Sequence, residues 1–557
     1  MIRKLLLVSV IISISLSCAN LNGQNLDSVT ITVDANRPGK KLKHIWSYYG
    51  YDEANYTTSP DCMSLMKTVA QINTEDVFLR QHFLLNTGDG KAALKWGSTN
   101  IYTEDKNGNP IYSWKIIDEI MDAVLVSGCL PLVEIGFMPQ ALSVKPEPYK
   151  NSDTYRLDGG CFYPPKDYEK WAEFIRQWAQ HCKERYRDII FKWLWELWNE
   201  PNINYWRGTR QEYFKLFDYT EQALHAVMPE AIMGGPHTAG PDNEFFRSFL
   251  KHCDSGTNNV TGETGTRLDY IGFHAKGGTR LVDGHVQMNL GNQLRLHRSG
   301  FAKVAQFPKY KNTPIIIGEA DPDGCAACPS AQFPERAYRN EPAYGAYVAA
   351  MMKYSLDLAE EYQVNLQGVV TWAFVFVDQP TFHGFRSLST NGVHKPVLNV
   401  FKMLGMLRGR ALPVSSAGSS NLQDMLHVGF RQQPDINGLA AADADAVRIL
   451  IWNYHDDLVP SEPVRVELKV NLPDDFGGKA KLIHYRVDFQ HSNAHTKWLE
   501  LGSSPNPNPT QFGQLKKAMW LEMLEQPKTV AADKKQINVK FDLPRHGVSL
   551  IILEKQI

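Results

Sequence analysis

At 557 residues, 43% hydrophobic and 21% charged, the chain is too long for one ordinary domain and has the balance of a globular protein with a substantial core. Fifty-nine Lys and Arg stand against sixty Asp and Glu, a net charge of −1. No basic run reads as a phosphate-binding stripe, which argues against nucleic acid and anionic membrane surfaces as partners.

The first segment, "MIRKLLLVSVIISISLSCAN", places Arg3 and Lys4 ahead of a twelve-residue apolar run from Leu5 to Leu16. That is secretory-signal length and too short to span a bilayer, so the sequence predicts export to the periplasm or cell surface. Cys18 fits a lipid attachment site, although Ser15 stands where such sites usually carry leucine; Ser17, Cys18 and Ala19 fit ordinary small-x-small cleavage as well. Losing or lipidating Cys18 leaves seven of the eight cysteines, an odd, scattered set that is not a disulfide framework. Cys325 and Cys328 form a CxxC with no second ligand pair at zinc spacing, and a loop disulfide or two plain thiols is favoured over a redox or metal site.

Beyond the signal segment, "DSVTITVDAN" alternates as a strand. Eight short apolar runs follow, each ending in a polar or glycine-rich loop: "KHIWSYYG", "DVFLRQHF", "LPLVEIGF", "FKWLWELWN", "AIMGGPHTAG", "LDYIGFHAKG", "TPIIIGEADP" and "LQGVVTWAFVFVD". Between them lie helical patterns such as "SWKIIDEIMDAVLVSG" and "YEKWAEFIRQWAQHCKERY", with apolar residues recurring at three and four. Eight strand–helix units predict an α/β fold, a (β/α)8 barrel with enlarged loops. The alternative, a doubly wound nucleotide-binding sheet, is disfavoured because "GGPHTAG" lacks the GxGxxG spacing that lets backbone approach a pyrophosphate. After about Gly409, "VRILIWNYH", "VRVELKVNL" and "VSLIILEK" alternate with turn residues between them, a β-sandwich pattern. The expected division is 1–24 signal segment, 25–40 a strand joining the sandwich, 41–408 the barrel and 409–557 the sandwich.

Barrel chemistry sits at the carboxyl ends of the strands. In "LWELWNEPN", Pro201 cannot continue a ladder, so the fourth strand is expected to end at Glu200, leaving Glu196 deeper in the wall. The seventh strand, "PIIIGEADP", carries Glu319 at its own carboxyl end. Two glutamates facing each other across a mouth lined by Trp198, Trp372, His274 and Tyr270 or their neighbours is the arrangement a glycosidase needs. A satisfied pair of core carboxylates is the structural alternative, uncommon because each buried charge needs a partner.

"WNEPN", followed in order by "GGPHTAG", "DYIGFHAKGG", "GEADP" and "KPVLNVFKML", resembles glycoside hydrolase family 39, the family of β-xylosidases and α-L-iduronidases. The likeness runs through nearly all of the chain past the signal segment. It implies a retaining double displacement, with Glu200 as acid/base, Glu319 as nucleophile and Asn199 holding the hydroxyl beside the anomeric centre. It further implies His274 as a substrate or nucleophile contact, with Glu134 as a sugar hydroxyl contact and Trp372 as a stacking platform. "LPLVEIGFMPQALS" and "HSNAHTKWLELGS" lean to the xylosidase side. "HAKGG" and "EADP" lean to the iduronidase side, where Lys276, with Asp378 and Arg386 from "VDQPTFHGFR", would be the polar contacts. The cysteine-bearing "DPDGCAACPS" departs from the family pattern. The expectation is an exo-acting enzyme on a terminal xylosyl or arabinosyl residue of an oligosaccharide or glycoside, without metal or cofactor, ahead of a uronide-cleaving enzyme. A binding protein without catalysis is the reading from another class.

Overall fold

Eight strands, each parallel to its neighbours, close on themselves: Tyr48–Tyr51, Phe78–Gln81, Leu130–Ile135, Leu194–Leu197, Ile232–Thr238, Tyr270–Lys276, Pro314–Asp321 and Asn365–Trp372. The computed structural model describes residues 27–372 and 374–556; the expected signal segment and Cys18 lie outside them. Six fall within the apolar runs of the sequence, and the first and eighth overrun theirs by one residue, Tyr51 and Asn365. All eight are buried on nearly every residue, as in the seventh, where all but Pro314 are inside, because helices cover the outer face and side chains fill the inner one.

The helices form where the periodicity places them. Tyr168–Tyr186 buries Trp171, Phe174, Ile175, Trp178 and Cys182 along one face, and the Asp167 side chain caps its start by accepting from the amides of Glu169 and Lys170. Lys115–Val126 buries Ile117, Ile120, Met121 and Val124 in the same way. No helix among the described residues is long and apolar enough to cross a membrane.

The second unit is a two-sheet β-structure. In one sheet Ser28–Asp34 runs antiparallel to Val414–Ser416 and parallel to Val464–Asn471, which pairs in turn with Gln536–Leu543. The other sheet is built on Asp435–Ala442, Ala446–Tyr454, Val548–Lys555 and Lys479–Val487, all antiparallel. Alternating inward residues, Val29, Ile31 and Val33 against Val466, Leu468, Ile449, Ile451 and Ile551, make a core of their own. This unit also touches the barrel's loops: Phe382, past the eighth strand, packs against His495 and Trp498.

One boundary differs from the sequence expectation. The fourth strand stops at Leu197, three residues before Glu200. Trp198 and Glu200 then take left-handed backbone, φ 69° and 43°, so the chain turns sharply before Pro201 rather than running extended to it. Non-glycine residues in that region cost roughly 1–3 kcal/mol each and persist only where the surroundings hold them. Here the Glu200 amide donates to the His237 carbonyl (3.0 Å), the Trp198 amide to the Ile135 carbonyl (3.2 Å), and the Trp198 indole to the Tyr205 carbonyl (2.6 Å).

Candidate active site

The site is built in two layers at the carboxyl end of the barrel. In the lower layer, strand register sets Glu134 of the third strand beside Glu196 of the fourth. Two like charges side by side would repel. Arg80 of the second strand resolves this: its Nε lies 2.5 Å from Glu196 and its Nη2 3.0 Å from Glu134, all three side chains being fully buried. The same guanidinium donates to Asn199 Oδ1 (3.0 Å) and Glu319 Oε1 (3.3 Å). Removing one member of such a buried group strands the others, at roughly 3–5 kcal/mol, so the layer acts as a unit.

His237 completes this layer, its Nε2 2.6 Å from Glu196 Oε2. Its ring has room only because two neighbours lack side chains: a Cβ on Gly272 would lie 2.2 Å from His237 Nε2, and one on Gly318 2.1 Å from Nδ1. Burial alone would protonate Glu196, but Arg80 and His237 outweigh it and hold the carboxyl at about 2. Glu196 is therefore a fixed anion with no proton to give near neutral pH. His82, also from the second strand's end, sits 2.6 Å from Glu134; burial works against its cation, Glu134 outweighs burial, and the imidazole is raised to about 9.

The upper layer holds Glu200, His274 and Glu319. The Glu200 and Glu319 side chains are 14% and 8% exposed, whereas His274 is enclosed. One ligand atom from each lies within 4.8 Å of the others. His274 Nδ1 is 2.9 Å from Glu200 and 3.7 Å from Glu319, and burial pushes its pKa well below the usual imidazole value, so it faces both carboxylates as a neutral ring. Among the described residues these three are the one His/Cys/Asp/Glu group close enough to hold a metal ion. The charge of Glu319 is already met by Lys276 and Arg80, which leaves little for a cation to neutralise.

The two glutamates differ sharply in environment. Glu200 is raised to about 7, first by burial and then by the like charge of Glu319. Glu319 meets burial too, but Lys276 at 2.7 Å, with His82 and Arg80, outweighs it and holds the carboxyl well below the ordinary range. At neutral pH the first is poised to give or take a proton and the second is an anion, the division of labour that environment imposes on paired catalytic carboxylates.

Of the remaining residues expected at the site, Asn199 and Lys276 are brought to it. Asn199 Nδ2 is buried and finds no hydrogen-bond partner among the described residues. Lys276 Nζ bridges Glu319 (2.7 Å) and Asp321 (2.6 Å). The others need correction as direct sugar contacts. Glu134 is sealed in the lower layer between Arg80 and His82. Trp372 is 2% exposed, its ring against His82 at 4.3 Å and the Arg80 guanidinium at 5.0 Å. Arg386 is fully enclosed behind the site, donating to the Trp372 carbonyl and pairing with Asp321 (3.3 Å) and Asp323 (3.0 Å). Asp378 is exposed on the loop past the eighth strand, its charge bearing on Tyr56 and Asp61 rather than on the cluster. Tyr270 and Trp198 do not line the mouth either: Tyr270 borders a cavity of about 1050 Å³ at the opposite, amino-terminal end of the barrel, and Trp198 is fully buried.

Arg80, His82, His237, Asp321 and the Asp52–Lys95 pair (2.6 Å) went unnoticed in the sequence. The signal was present in "DVFLRQHF", where an arginine and a histidine interrupt an apolar strand; a buried charge there demands partners.

The sequence profile of glycosyl hydrolases family 39 matches residues 29–535. The chain is 26% identical over 499 residues to a β-xylosidase of Geobacillus stearothermophilus, covering 86% of each chain, and 24% identical over 526 residues to an α-L-iduronidase of Mus musculus, covering 87% of this chain and 75% of that one. A monomeric β-xylosidase from Caulobacter crescentus CB15 has the same fold, with a TM-score of 0.74 over 95% of this chain and all of the other at 20% identity. The barrel, the two converging glutamates and a profile spanning nearly the whole described chain lead to one conclusion: this protein belongs to glycosyl hydrolase family 39 and is a glycoside hydrolase.

Proposed function

We propose that the enzyme removes a terminal xylosyl or related pentosyl residue, such as arabinosyl, from plant-type glycans or oligosaccharides by a retaining double displacement. Glu319 attacks the anomeric carbon and Glu200 protonates the leaving oxygen; the deprotonated Glu200 then activates a water that releases the sugar from Glu319. The observation that carries this is the close approach of two carboxylates with opposite proton affinities. One oxygen of each lies within 4.8 Å of one oxygen of the other, closer than the roughly 6.5–9.5 Å that leaves room for a water in inverting enzymes and in keeping with the about 5–5.5 Å of retaining ones. Asn199, held through its oxygen by Arg80, offers its free amide hydrogens to a sugar hydroxyl next to the anomeric centre.

A neutral sugar is favoured over a uronide because the cations around the site are already matched. Lys276 lies between Glu319 and Asp321, Lys95 against Asp52, and Arg386 between Asp321 and Asp323. A substrate carboxylate entering the site would have to displace one of these pairings. The apolar run at the amino terminus and the Cys325–Cys328 disulfide both support an exported enzyme, periplasmic or at the cell surface.

Turnover of a panel of nitrophenyl xylosides, arabinosides and an iduronide, with NMR detection of the first-formed anomer, tests the proposal. Pentoside cleavage with retained configuration is expected. An inverted product would overturn the mechanism, a strong preference for the iduronide would overturn the sugar, and binding without any product would overturn the pentoside assignment.

A further inference from the structure

The cysteine pair takes no part in this chemistry, yet it sits in the loop directly after the strand that bears Glu319. Cys325 and Cys328 are joined in a disulfide. Arg339, fully buried, gathers the loop around itself: Nη1 donates to the carbonyls of Ala326 (3.2 Å), Cys328 (2.8 Å) and Gly384 (3.1 Å), and Nη2 to Asp323 (2.7 Å). The Arg386 amide adds a bond to the Ala326 carbonyl (2.9 Å). A short disulfide ring pinned from beneath by an arginine is a rigid abutment beside the nucleophile.

The tip of the loop after the third strand reaches this abutment. The Tyr155 hydroxyl donates to the Ala327 carbonyl at 3.3 Å. Two residues on, the Leu157 carbonyl accepts from Arg207 Nε at 3.0 Å, and Arg207 lies in the loop just past Glu200. The tip is thus tied at one end to the loop of the acid/base and at the other to the loop of the nucleophile. In the closed barrel the third and seventh strands stand opposite one another, so the Tyr155–Ala327 bond joins loops rooted on opposite sides of the mouth. Tyr155 is 59% exposed; apolar burial does not explain why its ring lies there.

We infer that the Tyr155–Leu157 tip and the Cys325–Cys328 loop form a strap across the mouth that ends the sugar pocket and restricts it to chain ends. Tyr155 and the disulfide are, on this inference, specificity-determining elements. It rests on the exo-acting glycosidase assignment above and extends it, giving the physical barrier that keeps an internal sugar unit out.

Hydrogen–deuterium exchange on the full chain tests the strap without reference to any substrate. In Tyr155→Ala, amides across 325–330 are expected to exchange about fivefold faster, the worth of one hydrogen bond, and Cys325→Ser with Cys328→Ser is expected to do the same across 153–158. Unchanged exchange in the opposite loop in both variants overturns the strap. The specificity role is read from the ratio of kcat/KM for cleavage at internal bonds of a linear xylo-oligosaccharide to that on a nitrophenyl xyloside. Tyr155→Ala is expected to raise this ratio about tenfold, the scale at which a pocket wall discriminates; coupled exchange with an unchanged ratio overturns that role. A wild-type enzyme that turns over none of the glycosides counts against the proposed function instead, and the exchange result then decides the strap alone.

Discussion

The ends of the fourth and seventh barrel strands look alike in the sequence, each an apolar run closing on a glutamate, and differ in almost every physical respect once folded. Glu200 stands three residues past its strand on a left-handed turn, beside a neutral imidazole, with no cation among the described residues bonded to it. Glu319 lies within its strand at a register shift, bonded to Lys276 and Arg80. The fold supplies two carboxylates on facing sides of one mouth; the cations decide which keeps a proton. In the proposed mechanism that asymmetry makes Glu200 the acid and Glu319 the nucleophile.

The largest way to break it is at Glu319, the proposed nucleophile. Glu319→Gln is expected to lower kcat by at least about 10⁴-fold with the fold retained; near-normal steady-state turnover would remove Glu319 from its role. Glu200→Gln should cost about 10²–10⁴-fold in kcat/KM on an alkyl glycoside, whose leaving group needs a proton, and much less in kcat/KM on a nitrophenyl glycoside, whose leaving group does not. Equal losses on both substrates would contradict an acid role.

The next effect is on Lys276, the cation that most separates the two. Lys276 lowers the pKa of both Glu319 and Glu200, so Lys276→Met should raise both. The acid limb of kcat/KM, set by ionisation of Glu319, moves to higher pH, and the alkaline limb, set by loss of the Glu200 proton, moves up with it. A change in rate with neither limb displaced would mean Lys276 acts only by shape.

The smallest effect requires no mutation. Since Glu200 is raised to about 7 and Glu319 lies well below the ordinary carboxylate range, wild-type kcat/KM should fall as pH rises through about 7 and hold on the acid side to below the usual glutamate value. An alkaline limb near the ordinary glutamate pKa would mean Glu200 is not raised.

The same two strands show how much was legible beforehand. The eight barrel strands could be read because buried parallel strands announce themselves as apolar runs between loops. The position of Glu200 and Glu319 at the carboxyl end of the barrel could be read because each interrupts or ends such a run. What the pattern concealed is pairing. Nothing local in "DVFLRQHF" says that Arg80 meets Glu134, Glu196 and Glu319, which follow it by 54, 116 and 239 positions. Arg386 differs from expectation for a related reason: the likeness of "VDQPTFHGFR" to the iduronidase side implies a substrate contact, and only the tertiary structure reveals Asp321 and Asp323 enclosing it. The left-handed turn at Glu200 was hidden because proline restricts its predecessor only statistically, and the hydrogen bonds that the Glu200 amide donates to the His237 carbonyl and that Trp198 donates to Ile135 and Tyr205 override that preference here.

The assignment of the two glutamates is tested most directly by trapping. Incubation with a 2-deoxy-2-fluoro pentosyl fluoride, which slows both steps but the second more, followed by peptide mapping by mass spectrometry, locates the covalent bond. A single pentosyl ester on Glu319 is the expected result. A label on Glu200, or release of inverted sugar with no adduct at any time, would contradict the account.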